Sequence, residues 1–118
     1  MGYALTVRIT YVLPAPEMNG GNKVIFQHAG LLRAAGHEVT VLGEGARPGW
    51  AGFDGTYRNY AAESFQLPAQ DLVIATFWTT LAVARKLAAG PLAHFCQGYE
   101  GGLAHLAPVR ARIDEDYA

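Results

Sequence analysis

Apolar residues fall into five short strand-like runs, separated by two longer stretches with helical spacing. The first run, Val7 to Leu13, is β-branched and aromatic and reads as a buried strand. A helix follows from near Asn22 to Gly36. Val24, His28, Leu31 and Ala35 recur along it at one-turn spacing, with Ile25, Ala29 and Leu32 beside them and Lys23, Gln27 and Arg33 outside. Within that stripe His28 reads as a packed core histidine, and Gly36 as the residue that ends the helix. The second strand is His37 to Leu42, and a short third strand, Thr56 to Tyr60, follows a glycine-rich loop from Gly43 to Gly55. Asp71 to Thr76 is the clearest buried strand. Thr79 or Thr80 caps a second helix to about Ala89, with Leu81, Ala84, Leu87 and Ala88 inward and Arg85 and Lys86 outward. Gly90-Pro91 stops it, and Leu92 to Gln97 is the fifth strand. The order β-α-β, β, β-α-β predicts an α/β fold, a Rossmann-like parallel sheet covered by helices. Past Gly98 the pattern fades into loop, and 109–117 reads as the opening of a helix with Asp114, Glu115 and Asp116 in a solvated turn.

Composition narrows the class. At 118 residues, 51% hydrophobic and 16% charged, the chain has the make-up of one folded α/β domain rather than of a disordered segment. A net charge of −1 without a Lys/Arg cluster leaves no nucleic-acid footprint. Cys96 is the only cysteine, so no intrachain disulfide forms and a reducing, cytoplasmic setting is expected. No apolar run approaches the roughly 20 residues of a membrane span, and Arg8 interrupts the one N-terminal stretch that resembles a leader.

The most informative segment is Asn19-Gly20-Gly21-Asn22-Lys23, between the first strand and the first helix. A glycine pair there brings backbone N–H groups close to a ligand at a helix N-terminus, where unpaired donors and the helix dipole favour an anion such as a diphosphate. The motif is neither G-x-G-x-x-G nor a Walker A loop, and a plain tight turn is the competing reading. The loop aromatics Trp50 and Phe53 stay open to two readings, a binding loop or a loop pinned to the body. No G-x-S-x-G elbow and no His/Cys metal spacing occurs, and Cys96 reads as a buried, inert thiol.

Gly20-Gly21, His28-Ala29, Leu31-Leu32 and Gly36-His37-Glu38-Val39-Thr40-Val41, at these spacings, resemble the opening of retaining GT-B glycosyltransferases of the family-four, glycogen-synthase-like type. The run from Asp71 to Thr76 and the sequence Gln97-Gly98-Tyr99-Glu100 are similar to later landmarks, notably in rhamnosyltransferase-like members. The resemblance covers residues 5 to about 100. It implies strand order 3-2-1-4-5 with helices on both faces, and an acceptor-side N-terminal domain facing a donor-binding domain across a cleft. By the same resemblance, residues 1–118 form part of that N-terminal domain, the donor domain being absent, and transfer no sugar by themselves.

The resemblance also implies roles. Gly20 and Gly21 approach the donor diphosphate. Gln97 stands where many relatives carry a histidine that touches the transferred sugar, and Gln97 and Glu100 are the catalytic candidates. Trp50, Phe53 and Trp78 are acceptor-side candidates. The nucleotide-sugar is a substrate, with a saccharide or other acceptor as partner, and no cofactor or metal is called for. Polysaccharide biosynthesis is the implied setting. The edge Leu92–Gln97 together with residues 98–118 is expected to join a second copy, because that strand carries no Lys, Glu or internal Pro to discourage pairing. The alternatives are a non-catalytic Rossmann-like or flavodoxin-like module for a phosphorylated small molecule, and a scaffold domain.

Overall fold

The computed structural model describes residues 6–18, 20–62, 67–87 and 90–95, without the side chain of Trp78. The chain runs β1 (Arg8–Val12), α1 (Gly20–Ala34), β2 (Glu38–Gly43), β3 (Thr56–Asn59), β4 (Leu72–Ala75), α2 (Trp78–Leu87) and β5 (Leu92–His94). All pairings are parallel, and the sheet order is β3-β2-β1-β4-β5. This is the expected α/β, Rossmann-like arrangement.

β1 organises the core because its side chains alternate between faces. Ile9, Tyr11 and Leu13 join Val39, Val41, Ile25, Phe26, Ala29 and Phe53 in one apolar cluster, beneath α1. Val12 joins Leu42, Val73, Ala75, Leu81 and Ala84 in a second, beneath α2. Thr10 is fully buried on the α2 face and satisfies its hydroxyl by donating to Gln70 Oε1 at 3.0 Å. From β1 and β4 the crossovers proceed in opposite directions across the sheet. With the right-handed crossover that parallel units adopt, that places α1 and α2 on opposite faces.

The helices differ from expectation in detail. α1 begins at Gly20, so the glycine pair is its first turn rather than a loop before it. Its buried line is Asn22, Ile25, Phe26 and Ala29, while Leu31 is 70% exposed. The inward stripe is therefore rotated from the expected one, because the bulky Phe26 takes the position against Trp50 and Phe53. α1 ends in a full Schellman motif. Gly36, at φ 99°, donates to Arg33 O at 3.0 Å, and His37 donates to Leu32 O at 3.1 Å. His28 is half-buried, edge-on to Phe95 at 5.3 Å.

α2 is capped from inside. It starts at Trp78, one or two residues ahead of the expected cap, and Thr80 lies in its first turn rather than before it. The Thr80 hydroxyl accepts from the backbone N–H groups of Thr76 (3.0 Å) and Phe77 (3.1 Å) and donates to Phe77 O at 2.7 Å. Thr80 is fully buried, so no water can replace it. Thr80→Val keeps the shape and orphans both donors; it is expected to cost about 2 kcal/mol of stability, whereas Thr80→Ser costs about half that. Urea denaturation of the three proteins checks this, and equal losses for Val and Ser would assign the effect to packing.

Candidate functional site

Doubly wound sheets bind ligands beyond the carboxyl ends of their strands, where the strand order reverses. Here that switch point lies between β1 and β4. Three segments border it: Leu13–Met18 after β1, Thr76–Phe77 after β4, and the loop 44–55 after β2.

The segment after β1 is held from several sides. Asn22, 5% exposed, donates its side-chain amide to Glu17 O at 2.8 Å and Ala15 O at 3.3 Å, tying the first turn of α1 back to its own approach. The Trp50 indole N–H donates to Pro16 O at 3.2 Å. The Tyr60 hydroxyl donates to Leu13 O at 2.9 Å, and the Thr76 hydroxyl bridges the switch point by donating to Val12 O at 2.8 Å. These bonds fix the backbone that precedes the glycine pair.

Gly20 and Gly21 open α1 at this edge and form its first turn. No acidic residue occupies that first turn, and Lys23 is exposed on it. The electrostatics therefore favour an anion. A Cβ on Gly20 would meet nothing within 4 Å, so the space beside it is open. Neither residue is among the glycines at positive φ, which are Gly36, Gly45 and Gly52 among the described residues. What Gly20 provides is room for close approach, not a left-handed turn.

The loop 44–55 is pinned. Phe53 is 8% exposed and its ring packs against Phe26 at 5.9 Å. The Arg47 guanidinium lies 5.8 Å from the Phe53 ring centre and donates to the carbonyls of Phe53 and Gly55. The Phe53 ring joins the apolar cluster beneath α1. Trp50 is half-buried and meets Phe26 edge-on at 5.5 Å. It is the loop aromatic placed next to the segment after β1. At the end of β2, Gly43 lets Tyr57 cross: a Cβ would collide with the Tyr57 ring, whose hydroxyl donates to Gly45 O at 2.8 Å. Asn59 secures the same stretch, accepting from Gly45 N and Ala61 N, each at 3.0 Å.

Gln97, Glu100, Cys96 and the segment 98–118 lie outside the described residues, as does the side chain of Trp78; the backbone of Trp78 begins α2 at the switch point. Two cavities lined by described residues lie away from it. One, of about 490 Å³, lies at the amino edge between Arg33, His37, Glu38, Asp54 and Thr56. Another, of about 430 Å³, is a groove between α1 and the loop, lined by Phe26, Leu31 and Phe53. Among the described residues, no group of three or more His, Cys, Asp or Glu side chains could hold a metal ion. Sequence reasoning missed Asn22, Tyr60 and Thr76. Their types are common in loops and helix starts, and only the tertiary partner reveals the role. No family model and no curated protein matches the chain.

Burial raises the Tyr60 hydroxyl to about 12, with smaller contributions from the Glu44 carboxylate and Tyr57. The fold thus favours the protonated phenol, and the stability it contributes is complete below pH 10 and lost as pH rises from 10 towards 12. Tyr60→Phe is expected to cost about 1 kcal/mol at pH 8 by deleting the bond to Leu13 O. Above pH 10 the difference between the two proteins should shrink and then reverse, since Phe cannot ionise. Denaturant midpoints of both proteins from pH 8 to 11.5 measure it, and a constant difference would refute the account.

Proposed function

We propose that this chain belongs to the N-terminal, acceptor-side domain of a retaining GT-B glycosyltransferase, which moves a sugar from a nucleotide-sugar to a saccharide or other acceptor. The observation that carries the reading is the glycine pair forming the first turn of α1 beside the switch point of a 3-2-1-4-5 parallel sheet. Added to it are the sequence landmarks from Gly20 to Val41 and from Asp71 to Glu100, which resemble that family. In this reading the α1 N-terminus faces the donor diphosphate, the segment after β1 and Trp50 border the acceptor, and Gln97 and Glu100 follow β5 towards the reacting sugar. Such transfer relies on positioning and charge stabilisation, with the departing phosphate helping to deprotonate the acceptor. We place the protein in the cytoplasm; no helix among the described residues is long and apolar enough to cross a membrane. Pairing with a second copy along β5 belongs to the same proposal.

Titration of the chain with UDP-, GDP- and dTDP-sugars, beside the free nucleotides, tests the reading. Weak binding of a nucleotide-sugar is expected, reduced at least tenfold by Gly21→Val with little change in thermal midpoint, while Gly20→Ala, which adds a methyl to open space, preserves the fold. These 118 residues by themselves should release nucleotide no faster than spontaneous hydrolysis. Tight binding of free phosphate compounds with no preference for sugar nucleotides would favour the non-catalytic module instead. Affinity unchanged by Gly21→Val would reduce the glycine pair to a plain turn.

A further inference from the structure

The amino end of β1 is fastened by ionisable acceptors. The Val7 N–H donates to His37 Nδ1 at 3.1 Å, and the Arg8 N–H donates to Asp71 Oδ2 at 2.8 Å. The Arg8 guanidinium donates through Nε to Glu38 Oε2 at 2.9 Å. Two backbone bonds complete the fastening: Glu38 N to Val7 O at 3.0 Å, and Asp71 N to Arg8 O at 2.9 Å.

We infer that this arrangement is an acid-sensitive clasp: protonation of His37 removes the hydrogen bond of the Val7 N–H just ahead of β1, while the Glu38 N–H bond to Val7 O and the rest of the sheet stay closed. The chemistry is that of the imidazole. To accept at Nδ1, the neutral ring must carry its proton on Nε2. A second proton goes to Nδ1, converting the acceptor into a donor aimed at another donor. The protonated ring and the clasp exclude each other, so acid favours the open form.

Charges around the ring do not outweigh this loss. On the cavity shared with His37, Arg33 from the end of α1 is paired with Asp54 at 3.0 Å, and Glu38 is paired with Arg8. Exposed ion pairs of this kind contribute little. Imidazoles ordinarily charge between pH 5 and 8, and carboxylates only below that.

Amide hydrogen exchange, corrected for intrinsic rates, resolves this in the intact chain. Between pH 7.5 and 5.0 the protection of Val7 should fall about tenfold, the equivalent of one hydrogen bond, while the mid-strand amides of Tyr11 and Val12 hold theirs. His37→Gln supplies a side-chain oxygen that accepts at any pH, so its Val7 protection should be the same at both values. Asp71→Asn should leave the Val7 response intact. Nitrogen NMR of the wild-type imidazole gives a further test: at pH 7.5 Nδ1 of His37 must be the unprotonated nitrogen. A proton on Nδ1 at that pH, pH-independent protection of Val7 in the wild type, or the same fall in His37→Gln would each overturn the clasp.

Discussion

Everything in this fold depends on β1 having to be buried on both faces. Val12 and Thr10 are fully buried on the α2 side, and Tyr11 and Leu13 are at most 3% exposed on the α1 side. A strand in that position cannot be an edge, so β2 and β4 flank it, and each needs a helix over its own face. Because the crossovers leave the centre in opposite directions, the connections part at the carboxyl ends of β1 and β4. The crevice is thus a by-product of covering the central strand twice. The first turn of α1 ends up beside it for the same reason.

The two ends of β1 are secured by different chemistry. At the carboxyl end the donors are neutral groups: the hydroxyls of Tyr60 and Thr76, the Trp50 indole and the Asn22 amide all reach backbone carbonyls. None of these changes charge near neutral pH, and burial moves the Tyr60 phenol still further from that range. At the amino end the acceptors are ionisable side chains, those of His37 and Asp71. Rigidity at the crevice matters for any ligand held by backbone N–H groups, since a small displacement costs much of the interaction.

Much of the fold was legible because its dominant signals are local. The β-branched runs at Val7–Leu13 and Asp71–Thr76, the stop at Gly36 and the break at Gly90-Pro91 each act through neighbouring residues, and the strand and helix order follows from them. What escaped was whatever a distant partner decides. Periodicity leaves the centre of the α1 stripe free by a fraction of a turn, and the choice was made by Phe26 meeting Trp50 and Phe53, which arrive from a loop more than twenty residues away. The capping role of Thr80 was visible in its residue type, but not its location inside the helix, because a hydroxyl can cap from either side of the first residue. At the site, the glycine pair was legible and its placement in the helix was not. Helix propensity argues against glycine in a first turn, and the Asn22 clamp onto Ala15 and Glu17 offsets that penalty only once the loop is folded.

The displacement of the glycines into α1 changes what they do. In a loop ahead of the helix they would bend the chain around a ligand, and their backbone would need unusual dihedrals to do so. As the first turn they hold helical geometry, and the space beside Gly20 is open. A helix start lined with Ala would have been more stable and would have kept the same donors. Glycine at Gly20 therefore makes physical sense where something must come closer to the backbone than a methyl group allows. The described protein atoms place nothing there, and the field at that end of α1 favours negative charge. Open space beside Gly20, a helix N-terminus and a first turn without acidic residues meet at one place, and the proposed phosphate-bearing ligand is drawn from that coincidence.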